Sequence, residues 1–156
     1  MGQVCGRERN LSEIERNLKE RKSESKKEKS EEKVSEGEGH ESITVQPWTS
    51  RVPKMTQPDL DYIAPEVQTG STCSVLSDMF SLGMCICSIF NSGKSLIEAN
   101  HSSSVYHKQL EVVGEQVNNV LPKVPLGLQE AVVRLVSKDQ RQRPTSQLVA
   151  LIKYFR

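Results

Sequence analysis

The sequence predicts a mainly α fold over residues 56–156, preceded by a disordered, charged segment and linker over residues 1–55. Three observations lead there. The longest apolar run covers residues 77–90, with apolar side chains on every side, which is how a helix reads when other elements surround it. Residues 125–137 carry Leu128, Ala131, Val132, Leu135 and Val136 at helical spacing. Between residues 20 and 39 the composition collapses to Lys, Glu, Ser and Gly with acid and base interleaved. Such a segment cannot bury enough apolar surface to offset the entropy of ordering it.

The chain begins Met1-Gly2-Gln3-Val4-Cys5-Gly6. Gly2 after Met is the acceptor position for myristate, although Gly6 stands where Ser or Thr belongs. Cys5 offers a second acyl site, and stable membrane attachment takes two such signals. Gly2 and Cys5 are therefore the lipidation candidates. Asn10 or Ser12 can cap a short helix in which Leu11, Ile14 and Leu18 share one face and Glu15 sits four residues before Lys19. Residues 43–54 contain Pro47, Trp48 and Pro53 and read as an extended linker. Two readings stand for Trp48: docking on the domain that follows, or exposure.

Within the folded part, Ser77 is the expected N-cap of the apolar run, and Asp78 falls in its first turn, where a carboxylate is favoured. A carboxylate buried there needs a partner, so something should meet Asp78. The run is too short and too polar at Ser81 and Ser88 to cross a bilayer, which takes about 20 apolar residues. Residues 94–100 read as a short helix after a Gly93-Lys94 turn. A further helix is expected over residues 106–113, in a mixed stretch that ends at Pro122. Thr145 is the expected N-cap of a last helix through Leu148, Leu151, Ile152 and Phe155.

Composition narrows the function classes. The 156 residues suffice for one domain, and a net charge of +1 gives no general pull toward nucleic acid. The charged segment is balanced, whereas a nucleic-acid arm would be basic. The four cysteines form no disulfide framework: Cys85 and Cys87 lie inside the apolar run, and a lone C-x-C lacks the second half of a zinc site. They read as small buried hydrophobes of a reducing, cytoplasmic compartment, and no apolar secretory region opens the chain.

Three short motifs then occur in a specific order and spacing. They are Ala64-Pro65-Glu66, then Asp78-Met79-Phe80-Ser81-Leu82-Gly83, then Arg141-Gln142-Arg143-Pro144. Together they resemble the second half of a protein kinase domain: the end of the activation segment, the central helix of the large lobe, and the loop before its last helix. The resemblance covers residues 57–155. The stretch from Ser77 to Asn100 is most similar to the SCY-like family of kinase-like proteins, in particular its coated-vesicle-associated branch. Phe80 stands where most active kinases carry Trp.

The resemblance implies structural roles only for Ala64, Pro65, Glu66, Asp78, Gly83 and Arg143. Glu66 pairs with Arg143, Asp78 holds the backbone of the catalytic loop, and Gly83 allows close helix packing. The parts that carry kinase chemistry are not found. Gly37-Glu38-Gly39 lacks the next glycine of a phosphate-binding loop, His40, His101 and His107 are not followed by Arg-Asp, and no D-F-G occurs. Gly93-Lys94-Ser95 resembles the tail of a Walker loop, but Ser88 replaces its first glycine and helix precedes it.

The expected fold is thus a truncated, incompletely packed large lobe with no catalytic, cofactor-binding or metal-binding residues. ATP and magnesium would need the missing lobe. The resemblance implies a non-catalytic interaction or scaffold role in vesicle trafficking, with clathrin or adaptor components as partners. The implied setting is the cytoplasm, around coated vesicles, the Golgi or endosomes, with at most peripheral membrane contact. The alternative is a piece of a longer ATP-binding Ser/Thr kinase whose H-R-D and D-F-G elements lie elsewhere.

Overall fold

The computed structural model describes residues 11, 12, 15, 16, 19 and 41–153. It is mostly helical. A two-residue strand β1 (Ile43–Thr44) pairs antiparallel with β2 (Thr72–Cys73), Ile43 opposite Cys73. The helices are α1 (Pro65–Gly70), α2 (Val75–Phe90), α3 (Ser103–Glu111), α4 (Val113–Val120), α5 (Leu126–Leu135) and α6 (Ser146–Ala150), with short 3-10 turns between them.

Helix α2 is the axis of the body, and α5 is its principal partner. Phe80, Met84 and Cys87 on α2 are fully buried, as are Leu135, Tyr106 and Ile97 from the elements around it. Burial in this apolar setting pushes the Cys87 thiol up to about 11, so it behaves as a core hydrophobe. The helix starts earlier than expected. Ser74, not Ser77, is the N-cap: its Oγ accepts from the Leu76 N–H at 3.2 Å, and Ser77 Oγ reaches back to accept from the Ser74 N–H at 3.1 Å. This is a capping box with Ser in the position usually held by Glu or Gln. The β2 pairing holds the chain extended up to Ser74, so helical dihedrals begin at Val75.

The expectation that α2 is surrounded does not hold. Val75, Asp78, Leu82, Cys85 and Ile89 form one open stripe, and Cys85 is exposed rather than buried. The apolar character of the sequence is the same on both faces, so composition could not reveal which face lacks a neighbour.

Residues 94–100 are not helical. Ser92 and Gly93 both take left-handed dihedrals, and the Gly93 N–H closes α2 on the Ser88 carbonyl at 2.9 Å. Beyond that turn the backbone finds side-chain partners in place of a helical ladder. Asp61 Oδ1 accepts from the Ala99 N–H at 2.8 Å, and Ser95 Oγ accepts from the Ile97 N–H at 3.3 Å. Leu96, Ile97 and Ala99 turn inward. Burial, the largest influence on Asp61, raises its carboxyl above the ordinary range even though the Ala99 N–H lowers it.

The expected helix over 106–113 is longer at its start and is followed by a second one. Helix α3 runs Ser103–Glu111, α4 runs Val113–Val120, and a 3-10 turn carries Pro122. Val113, Val117 and Val120 bury one side of α4, an i, i+4, i+7 pattern that β-branched residues can still supply. Helix α5 lies within the expected 125–137. Thr145 caps α6, accepting from the Leu148 N–H at 3.5 Å, but the helix ends at Ala150. Phe155 lies outside the described residues.

Residues 41–54 are not a free linker, so the packed body starts well before residue 56. Trp48 is buried and held on both sides of its peptide: its N–H donates to Gln68 Oε1 at 2.9 Å, and Gln68 Nε2 donates to its carbonyl at 3.1 Å. Its ring stacks on His101 with centroids 6.3 Å apart. Further upstream, the described residues Leu11, Ser12, Glu15, Arg16 and Lys19 are helical. Leu11 is buried in the core, and Glu15 Oε1 meets Arg134 Nη2 of α5 at 2.8 Å. The lipidation candidates Gly2 and Cys5, the charged stretch 20–39, and Ile14 and Leu18 lie outside the described residues.

Candidate functional site

Ala64 is the N-cap of α1 and Pro65 its first residue, so the fixed φ of proline starts the helix without wasting a hydrogen bond. That places Glu66 in the first turn, pointing toward the start of α2. Arg143 arrives from the far end of the chain. A 3-10 turn at Gln140–Gln142, capped by Asp139 accepting from the Arg141 N–H at 3.0 Å, delivers it in extended conformation. Pro144 and Thr145 follow at once and start α6.

The structure brings Glu66 and Arg143 together across 77 residues of sequence. Arg143 Nη1 donates to Glu66 Oε1 at 2.6 Å, and Nη2 donates to Oε2 at 2.9 Å, a fork-to-fork pair. The Arg143 side chain is wholly buried, so every other N–H must also be met. Nε donates to the Ser137 carbonyl at 2.8 Å, Nη1 to the Leu76 carbonyl at 2.9 Å and Nη2 to the Lys138 carbonyl at 3.3 Å. The ring of Phe80 lies under the guanidinium, its centre 5.0 Å from the central carbon.

Ser77 completes the cluster by donating its hydroxyl to Glu66 Oε1 at 2.8 Å. Burial alone would raise the Glu66 carboxyl. The Arg143 bonds, its own N–H, Ser77 and the Arg143 charge together outweigh burial and hold it below the usual carboxylate range. Tyr106, also fully buried, donates to the Ile63 carbonyl at 2.7 Å just before α1. Burial, followed by the nearby Glu66 charge, raises its phenol well above the ordinary value.

Gly83 is buried on the side of the same helix that faces α5, away from the open stripe. A Cβ there would meet Leu135 Cβ at 2.7 Å and Val136 Cγ2 at 2.8 Å, so glycine is what lets α5 approach α2 this closely. Asp78 is not brought into the cluster. It lies in the first turn of α2 but is exposed, and its carboxylate has no hydrogen bond or ion pair among the described residues. The reading of the apolar run alone, a buried and partnered Asp78, is therefore corrected; an open Asp78 agrees instead with the expectation of an incompletely packed lobe in which the loop that Asp78 would hold is missing.

Sequence reasoning missed Ser77 as a ligand of Glu66, and it missed Gln68 and Tyr106. The Ser74-to-Ser77 spacing signals the capping box but not the bond from Ser77 to Glu66. Nothing in spacing marks Gln68, whose partners are backbone groups twenty residues away. Among the described residues, no three His, Cys, Asp or Glu side chains group to hold a metal ion. The buried cluster is saturated: each Arg143 donor and each Glu66 oxygen is engaged within the chain. Such a cluster can brace a fold. It offers no group to a substrate.

No protein-family model matches the chain. No solved structure matches it. Among curated proteins it is 28% identical over 110 residues to SCY1-like protein 2 of Homo sapiens, covering 69% of this chain and 12% of that protein. It is 30% identical over 94 residues to the protein kinase-like protein SCY1 of Saccharomyces cerevisiae, 57% of this chain and 12% of that one. It is 39% identical over 59 residues to the protein kinase domain-containing protein ppk32 of Schizosaccharomyces pombe, 38% of this chain and 8% of that protein. Its homologues are SCY1-like, kinase-like proteins. The chain spans about one-eighth of the length of the SCY1-like proteins it matches. The mostly helical body agrees with a SCY1-like, kinase-like region of the large-lobe type.

Proposed function

We propose that this chain is a large-lobe segment of a SCY1-like pseudokinase and that it acts as a non-catalytic interaction module in clathrin-linked vesicle trafficking. The observation that supports the large-lobe part of this reading is the Arg143–Glu66 cluster at the core of the body, the pair that the kinase resemblance implies. It spends the chain's most chemically capable buried groups on joining α1, α2 and the loop before α6. What remains on the surface suits contact with other proteins better than chemistry. Clathrin or adaptor components are the proposed partners, with the cytoplasmic face of coated vesicles, the Golgi or endosomes as the setting. Acylation at Gly2 and Cys5 would add peripheral membrane attachment.

The test uses the full chain immobilised through its C-terminus and offered purified clathrin and adaptor complexes. Retention of either supports the reading. If neither is retained and MgATP raises the melting temperature of the chain, the reading is wrong and the ATP-binding kinase alternative replaces it.

A further inference from the structure

His101 ties two distant segments of the chain together. Its ring stacks on Trp48, with centroids 6.3 Å apart and planes 24° from parallel, and its Nε2 lies 3.1 Å from Lys54 Nζ. Trp48 and Lys54 stand at the two ends of the strap over residues 48–54. The loop that carries His101 is held in turn by Asp61, which accepts from the Ala99 N–H at 2.8 Å. Asn100 and His101 both take left-handed dihedrals, with φ of 49° and 59°. The ring is thus aimed at the strap by a backbone that side chains other than glycine seldom adopt.

The chemistry of the pair fixes a protonation state. An ammonium has three N–H donors and no acceptor. Lys54 can therefore meet Nε2 only where that nitrogen presents a lone pair, which makes the imidazole neutral with its proton on Nδ1. We infer that His101 is a proton-operated catch. Neutral, it accepts from Lys54 and closes the 3-10 turn Lys54–Thr56 onto the loop before α3; protonated, it releases Lys54 and stays on Trp48. Protonation turns the acceptor into a donor and sets two like charges face to face, so repulsion replaces the hydrogen bond.

The other charges around the ring act in the opposite sense on His101 itself. Asp61, from the 3-10 turn Leu60–Tyr62, attracts the ring once both are charged, and Glu98, in the ring's own loop, adds to the negative field around Asp61. An imidazolium also gains on the face of an indole. These contacts keep the charged ring in place, so Lys54, exposed and on a flexible stem, is the group that leaves. The other histidine among the described residues, His107, packs edge-on against Tyr106 and has no contact with the strap. The catch does not depend on the partners proposed above.

The test uses the full chain. At about pH 8, nitrogen-15 spectra of the imidazoles, assigned by the signal that His101→Asn removes, should show the His101 proton on Nδ1 and Nε2 bare. Asparagine keeps a left-handed dihedral at low cost. Emission of Trp48, the one tryptophan of the chain, should then fall in a single step between about pH 8 and about pH 5, the range in which histidine ordinarily changes charge. An imidazolium quenches a stacked indole more strongly than a neutral imidazole does, so His101→Asn should abolish the step. Lys54→Glu keeps the histidine and replaces a repelling charge with an attracting one, which should move the midpoint of the step upward by at least about 0.5 pH unit. A proton on Nε2 at the alkaline end, a flat emission, or a midpoint that Lys54→Glu leaves in place overturns the proposal. So does a step that coincides with loss of helical circular dichroism, because that is unfolding. Should His101→Asn fail to fold, the shift in Lys54→Glu decides alone.

Discussion

The Arg143 guanidinium lies over the Phe80 ring, 5.0 Å from its centre, with its edge locked to Glu66 by two parallel hydrogen bonds. The planar group is thus held by its face and by its rim at once. A lysine at this position keeps the charge but can satisfy neither geometry. Arg143→Lys is expected to cost about 3 kcal/mol, close to the loss for Arg143→Ala, because both leave the Glu66 carboxylate without its fork. Urea denaturation of the two variants beside the wild type measures this. A lysine variant within error of the wild type would mean that charge alone suffices.

The same pair sets a pH dependence. Glu66 is held below its ordinary value of 4.5, so the unfolded chain takes up protons there before the folded one does. Its contribution is fully present above the unfolded value and is lost as pH falls through the folded one. The stability gap between wild type and Glu66→Gln should therefore be level above about pH 5.5 and narrow steadily below the ordinary value. Urea midpoints of both proteins across that range give the answer, and a gap that widens in acid would reverse the sign.

Gly83→Ala pits two effects against each other. Alanine gains about 1 kcal/mol of helix propensity over glycine. Its methyl, however, would stand 2.7 Å from Leu135 Cβ and 2.8 Å from Val136 Cγ2, with the Leu135 backbone carbon at 3.3 Å. Overpacking of this kind costs about 1–3 kcal/mol, and the backbone atom cannot rotate away, so a net loss is expected. Adding Val136→Ala should recover part of it, whereas no recovery would point to the backbone as the whole obstacle. A thermal melt of the single and double variants reports both.

Trp48 is the single tryptophan of the chain and depends on Gln68 for both of its peptide hydrogen bonds. Gln68→Ala removes those bonds and a third, to Ser103 Oγ at 3.0 Å. Residues 41–54 should then loosen, with a red shift of Trp48 emission and earlier proteolytic cleavage in that segment than in the wild type. The expected loss is about 2 kcal/mol for the buried groups left unmet. An unshifted emission spectrum would show that apolar contact alone keeps the indole in place.

Ser77 holds two roles in one hydroxyl, accepting from the Ser74 N–H and donating to Glu66 Oε1. Ser77→Ala should cost about 1–2 kcal/mol, and Ser77→Thr less, because only the former removes the hydroxyl. In a Glu66→Gln background the penalty of Ser77→Ala should shrink, which a double-mutant cycle detects.

Much of the helix content could be read from pattern alone. Helix α5 declared itself by apolar residues three and four apart, Thr145 by its place before such a pattern, and α2 by the length of its apolar run. These are local signals, carried by residues within a turn or two of one another. The pairing of Glu66 with Arg143 was legible only through the order and spacing of three motifs. The docking of Trp48, the irregular path of residues 94–100 and the break between α3 and α4 were not legible. The first two rest on side chains that satisfy distant backbone groups, as Gln68 does for Trp48 and Asp61 does for Ala99.

Local chemistry was enough to place α2, α5 and the start of α6 and to put Asp78 in the first turn of the central helix; the packing role of Gly83 came from the motif resemblance. Local chemistry could not say which side of α2 would be covered. An apolar side chain looks the same in sequence whether a neighbour arrives or not, and arrival depends on contacts made across scores of residues. The burial of Phe80 beneath Arg143, and the exposure of Val75, Asp78, Leu82, Cys85 and Ile89 on the other flank, were settled only when the chain closed on itself. Desolvation of a group is a property of everything packed around it, and no single stretch of chain contains that information.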